Sequence, residues 1–155
     1  MQAGHEKTLT FLLPALAGAN AIYGGGMLES GMLLNFGQLV SDNEMISAVK
    51  QILKGIPVND ETLAVDVIRE VGARGHFLSH RHTFERMRDE HFLPDLMDRN
   101  VHARWEKEGE RTMASRADDK AREILENHEP EPLADGLEDK LRSFIEDATK
   151  KLARE

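Results

Sequence analysis

With 155 residues, 20 basic against 28 acidic side chains, a net charge of −8 and only 5% aromatics, the chain has no basic stripe and no stacking platform, which excludes a nucleic-acid-binding surface. The absence of cysteine excludes disulfides, thiol nucleophiles and thiolate zinc sites. The 40% hydrophobic content can supply one ordinary domain's core or part of a larger one. It is concentrated in residues 7–70, whereas 101–155 is dominated by Glu, Asp, Lys and Arg.

Leu9, Leu12, Leu13 and Leu16 fall at i, i+3, i+4, i+7 and predict an amphipathic helix over 5–18, with Pro14 as a kink or stop. Glu6 and Pro14 break any signal-peptide pattern, and no stretch is long enough to span a bilayer, so the expected location is the cytoplasm with no membrane contact. Asn20–Tyr23 reads as a strand that opens onto Gly24, Gly25 and Gly26. Glycine is kept where the chain needs positive φ or a close approach to its backbone. "SDNE" is a capping-box pattern that predicts a helix from Ser41, with Glu44 at N3 and an inner stripe of Met45, Ile46, Val49, Ile52 and Leu53 before Gly55.

Asn59 or Asp60 caps a helix whose inner face is Leu63, Ala64, Val67, Ile68 and Val71, closed by Gly72. "ARGHFLSHRHTF" follows as a His-rich loop, and a short helix runs from about Thr83 to Glu90. Residues 101–127 read as a long polar helix, broken near Gly109. Two prolines forbid helix in the linker 128–134. A final amphipathic helix within 135–155 carries Leu137, Leu141, Phe144, Ile145, Ala148 and Leu152. The fold class is thus mainly α, with one or two short strands. A lone strand leaves its backbone groups unpaired, so neighbouring strands are expected from another chain, from further sequence or from a second copy.

"QAGHEKTLTFLLPALAGANAIYGGGMLESGMLLNFGQLVSDNEM", "ETLAVDVIREVGARGHFLSHRHTFERMR" and "KAREILENHEPEPL" occur in this order over Gln2 to Leu133. Together they resemble the C-terminal third of the trimethylamine methyltransferase family. The resemblance implies a (β/α)8 barrel of the TIM type, of which residues 1–100 would be the closing strand-helix units. Residues 101–127 would be a helical extension. A whole barrel takes about 250 residues, so the barrel is incomplete in this chain and the chain is not expected to turn over alone.

The same resemblance implies an enzyme that passes a methyl group from a tertiary or quaternary amine to the cobalt of a corrinoid protein. It implies no cofactor bound directly: the corrinoid is carried by a partner protein. The other expected partners are a small amine substrate and either a homo-oligomer or a companion barrel segment.

In such a barrel the loops after the strands build the site. Tyr23, Gly24, Gly25, Gly26, Met27, Glu29 and Ser30 would then face substrate or corrinoid, with Tyr23 offering a ring face and Glu29 a carboxylate to an ammonium. The plainer reading is a tight turn with Glu29 near a helix start. His76, His80 and His82 have two readings as well: loop histidines that bond backbone or cap the helix at Thr83, or polar contacts at the barrel mouth. The i, i+4 spacing of His76 and His80 also suits a metal, but without HExxH or a thiolate no metal is expected. A different class of function stands beside the enzyme: a non-catalytic helical module that self-associates through Leu137–Leu152 and residues 20–34.

Overall fold

The computed structural model describes residues 2–153, which form two compact units, one through Glu123 and one from Ile124 onward. The first contains α1 (Gln2–Leu16), β1 (Met27–Leu28), β2 (Leu33–Leu34), α2 (Phe36–Leu53), α3 (Asp60–Leu63), α4 (Val65–Val71), α5 (Arg81–Glu90), α6 (His102–Lys107) and the start of α7 (Met113–Asn127). The second contains the end of α7 and α8 (Leu137–Leu152). The mainly helical reading therefore holds. Among the described residues no helix is long and apolar enough to cross a membrane.

The strand expected at Asn20–Tyr23 is not one. Those residues pair with nothing, and the sheet is a hairpin just downstream, with Met27 opposite Leu34 and Leu28 opposite Leu33 in antiparallel register. Gly24 (φ 101°) and Gly26 (φ 75°) turn the chain before it can extend further, so Met27 and Leu28 find their partner locally, across the turn at 29–31.

The helix expected from Ser41 begins earlier. Asn35 is the N-cap, its Oδ1 accepting the Gln38 N–H at 2.7 Å. Ser41, Asp42 and Glu44 consequently lie inside α2 and are buried. Downstream, Asn59 caps α3 through a reciprocal bond pair with Thr62. The expected helix over 60–71 is split where Ala64 turns left-handed (φ 49°). Only Ala64, Val67 and Val71 of its expected inner face are half-buried, while Leu63 and Ile68 are exposed. The polar segment breaks near Gly109 as expected, with Gly109 and Glu110 both at positive φ between α6 and α7.

The packed centre of the first unit is Phe11, Ala15 and Val49, with Leu12, Met45 and Ile46 against them. On α1 the buried face is therefore Phe11/Ala15, one step round from the expected leucine stripe, of which Leu9, Leu13 and Leu16 are exposed. On α2 Met45, Ile46 and Val49 pack as expected, but Ile52 and Leu53 are exposed. Buried Ala117 and Ala121 keep one face of α7 narrow, and the Asp118 carboxylate occupies the space a Cβ on Gly37 would need. That contact puts an acid beside the first turn of α2, where the helix dipole favours it. In the second unit Leu141, Phe144, Ile145 and Leu152 of α8 all remain exposed.

Candidate functional site

The Gly24–Gly31 loop is anchored by two charged side chains that stand in otherwise apolar stripes. On α1, Lys7 precedes Phe11 and Ala15 at four-residue steps. On α2, Asp42 precedes Met45, Ile46 and Val49 at i+3, i+4 and i+7. The packing that builds the core thus brings the two charges together: Lys7 Nζ lies 2.7 Å from Asp42 Oδ2, with the Asp42 side chain fully buried and Lys7 17% exposed. A buried carboxylate is costly unless its oxygens are satisfied. Here they are: Oδ2 also accepts the Gly26 N–H at 2.8 Å, and Oδ1 accepts Gln38 Nε2 at 2.7 Å. Lys7 directs its remaining donors to the carbonyls of Gly24 (3.2 Å) and Met27 (3.4 Å). It also sits 5.4 Å from the Phe11 ring centroid.

This anchoring explains one of the three glycines in particular. A Cβ on Gly26 would lie 2.9 Å from both Leu34 Cδ1 and Leu39 Cβ, and its φ is positive, so a side chain is excluded twice over. Gly25 faces Leu39 Cδ1, whereas the Cβ direction of Gly24 is open apart from Met27 Sδ at 3.9 Å. Beyond the anchor, Glu29 (φ 52°) and Ser30 (φ 55°) are both left-handed and are followed by Gly31 at φ 87°. Such conformations cost non-glycine residues about 1–2 kcal/mol each and persist where surrounding structure holds them. They form the lip of a cleft of about 310 Å³ whose lining includes Glu6, Lys7, Thr10, Met27, Glu29 and Ser30. The structure thus brings Met27, Glu29 and Ser30 to one cleft with α1. Tyr23 is 89% exposed and, like Gly24, Gly25 and Gly26, does not line it.

The histidines lie elsewhere. His80 is the N-cap of α5, its Nδ1 accepting the His82 N–H at 3.1 Å, and its Nε2 is 3.5 Å from the Glu70 carboxylate. The helix starts at Arg81 rather than near Thr83, and a loop histidine, His80, caps it, as one of the two sequence readings expected. His82 Nε2 lies 3.1 Å from the Glu61 carbonyl, and His76 is exposed on the preceding loop. His82 lines a separate cleft of about 330 Å³ with Ile56, Pro57, Thr62, Arg86 and Glu90. The Glu61 carboxylate bonds Arg86 there and holds its guanidinium above its ordinary value. Among the described residues no group of three His or acidic side chains is placed to hold a metal ion.

A second carboxylate inside α2 organises the segment before α6. Glu44, buried, accepts three consecutive backbone N–H groups: Asp95 and Leu96 on Oε2, both at 2.7 Å, and Met97 on Oε1 at 2.8 Å. Arg116 on α7 fixes the same segment by donating to the Leu96 carbonyl at 3.0 Å and pairing with Asp98. The Asn100 N–H and then the Arg116 guanidinium hold the Asp98 carboxyl below its usual 3.8. Because the folded value is the lower one, this contribution to stability is complete above pH 3.8 and disappears as pH falls through the folded value. Thermal melts of the parent and Asp98→Asn, taken from about pH 5 to about pH 2, should converge as the pH drops. A constant gap would contradict that linkage.

Lys7, Asp42, Gln38 and Glu44 were not among the residues singled out from the sequence as site candidates. The signal that finds the first two is a charge standing on each of two apolar stripes. Reading Ser41 and Glu44 as a helix start concealed it for α2.

The trimethylamine methyltransferase family model matches residues 1–153. The chain is 47% identical over 146 residues to trimethylamine methyltransferase of Desulfitobacterium hafniense, covering 94% of this chain and 29% of that protein. It is 46% identical over 150 residues to the enzyme of the same name from Methanosarcina barkeri, covering 96% and 30%. Glycine betaine methyltransferase of D. hafniense is 32% identical over 155 residues, 99% of this chain and 32% of that protein. The chain therefore spans about 30% of the length of these relatives. A match that runs through the Gly loop, both anchoring helices and α5 to α8 alike makes this chain a member of the trimethylamine methyltransferase family.

Proposed function

We propose that this chain is the C-terminal region of an amine methyltransferase. The whole protein would move a methyl group from a tertiary or quaternary amine, such as trimethylamine or glycine betaine, to a separate corrinoid protein. The observation that carries the reading is the family match along residues 1–153, with relatives named for both kinds of amine. A (β/α)8 barrel belongs to the same proposal. Two-residue strands cannot close a barrel, and the exposed Leu13, Leu16, Phe36 and Ile52 form apolar surface that further strands and helices would cover.

The corrinoid would supply a cobalt nucleophile that takes the methyl group. The residues here suit an edge against which a partner-held group is set, not a cradle around it. Leu34 and Leu39 already fill the space beside Gly26, Leu39 that beside Gly25, and only Gly24 opens outward. The work left to this chain is binding, orientation and exclusion of water. The exposed Tyr23 ring offers a π face to an ammonium, and Glu29 at the cleft lip offers a carboxylate. For a quaternary substrate, or a tertiary amine already protonated to its ammonium form in water, the C–N bond breaks with its electron pair going to nitrogen. The amine then leaves neutral and the chain need not supply a proton. His80 and His82 are engaged within the chain, so the proposal rests on residues 23–31.

The test is a chimera in which this chain replaces the matching segment of the D. hafniense trimethylamine methyltransferase, assayed with trimethylamine, glycine betaine and a corrinoid acceptor. The chimera should transfer methyl from at least one of the amines, and the isolated chain from neither. A folded chimera inactive with both would overturn the reading.

A further inference from the structure

We infer that Lys7 and Asp42 are positioning residues whose pair sets where Glu29 and Ser30 stand at the lip of the cleft, and so tunes amine binding through the loop. The inference rests on the proposed reading of the loop as a substrate-facing edge. Stability alone does not call for this pair, since replacing a buried ion pair by apolar side chains of similar volume is often neutral or stabilising. What an apolar pair cannot do is direct the backbone. An ammonium has three donors, and Lys7 directs them to Asp42, to the Gly24 carbonyl and to the Met27 carbonyl. Asp42 holds the N–H of Gly26, which lies between those two carbonyls. Both flanks and the centre of the turn are therefore fixed, two residues before the left-handed pair Glu29–Ser30. Gln38 completes the carboxylate from one turn earlier on α2, so the orientation of Asp42 is itself fixed.

The experiment uses the double variant Lys7→Met/Asp42→Leu, which keeps the site filled but removes every bond to the loop, with Asp42→Asn as a second variant of unchanged shape. Amide hydrogen exchange of the full chain should quicken at Gly26, Met27, Glu29 and Ser30 by about tenfold or more in the double variant and by less in Asp42→Asn. Amides in the middle of α2 should keep their protection. In the chimera, the double variant should lower kcat/KM for the amine by about tenfold, with the loss mainly in KM. Unchanged exchange at residues 26–30 in either folded variant overturns the anchoring. Faster exchange with unchanged KM overturns the link to the amine. An inactive parent chimera refutes the methyltransferase reading and with it that link, while the exchange data still judge the anchoring.

Discussion

Replacing Lys7 alone by methionine should destabilise the chain by about 3–5 kcal/mol, because it leaves a buried carboxylate without its countercharge. Asp42 is fully buried and would keep only the Gly26 N–H and Gln38 as donors. Two neutral hydrogen bonds do not offset the desolvation of an ionised carboxylate. The loss should be larger than for Lys7→Met combined with Asp42→Leu, which removes the stranded charge along with its partner. Urea unfolding of the parent, the single and the double variant gives this comparison directly from the midpoints. A single variant as stable as the double would contradict the cost assigned to the unpaired carboxylate.

Glu44→Ala should be of similar size, about 3–5 kcal/mol. Each hydrogen bond to a charged group contributes about 1.5–3 kcal/mol, and the truncation leaves three backbone N–H groups without that acceptor, of which the Leu96 N–H is buried and the other two are part-buried. The three do not add fully, because the 95–97 segment can shift toward solvent once released. Glu44→Gln keeps one acceptor oxygen and should cost roughly half as much. A domain's total stability is typically about 5–15 kcal/mol, so either alanine or methionine substitution consumes a large share of it. The two are separable by where protection is lost: residues 24–30 for Lys7→Met, residues 95–97 for Glu44→Ala. Loss of protection at both places in both variants would contradict independent anchors.

Elements with local, unambiguous punctuation could be read from the chain. Asn59 caps α3, Gly55 and Gly72 follow helix ends at positive φ, and Gly109 sits in the break between α6 and α7. The start of α2 was ambiguous for a physical reason. "NFGQ" from Asn35 and "SDNE" from Ser41 both place a capping oxygen three residues before Gln or Glu. Packing decided between them, since the earlier start puts Ser41, Asp42 and Glu44 inside the helix, where Asp42 and Glu44 meet their partners. The hairpin was illegible because strands of two residues show no periodicity. For α1, periodicity identified a helix but not its buried face. Phe11 and Ala15 pack on α2 with Leu12 against them, and Leu9, Leu13 and Leu16 stay exposed.

Of the residues singled out in the loop, Met27, Glu29 and Ser30 line one cleft, whereas Tyr23, Gly24, Gly25 and Gly26 do not. The buried charges that hold the loop were not legible, because their pairing depends on the crossing of two helices far apart in sequence.

The proposed function makes this chain a C-terminal region of a longer amine methyltransferase. The intact mass of the native gene product in its source cells tests it most directly. The chain spans about 30% of its relatives, so the account predicts a product roughly three times the 17.4 kDa of this chain. A native product of 17.4 kDa would contradict it.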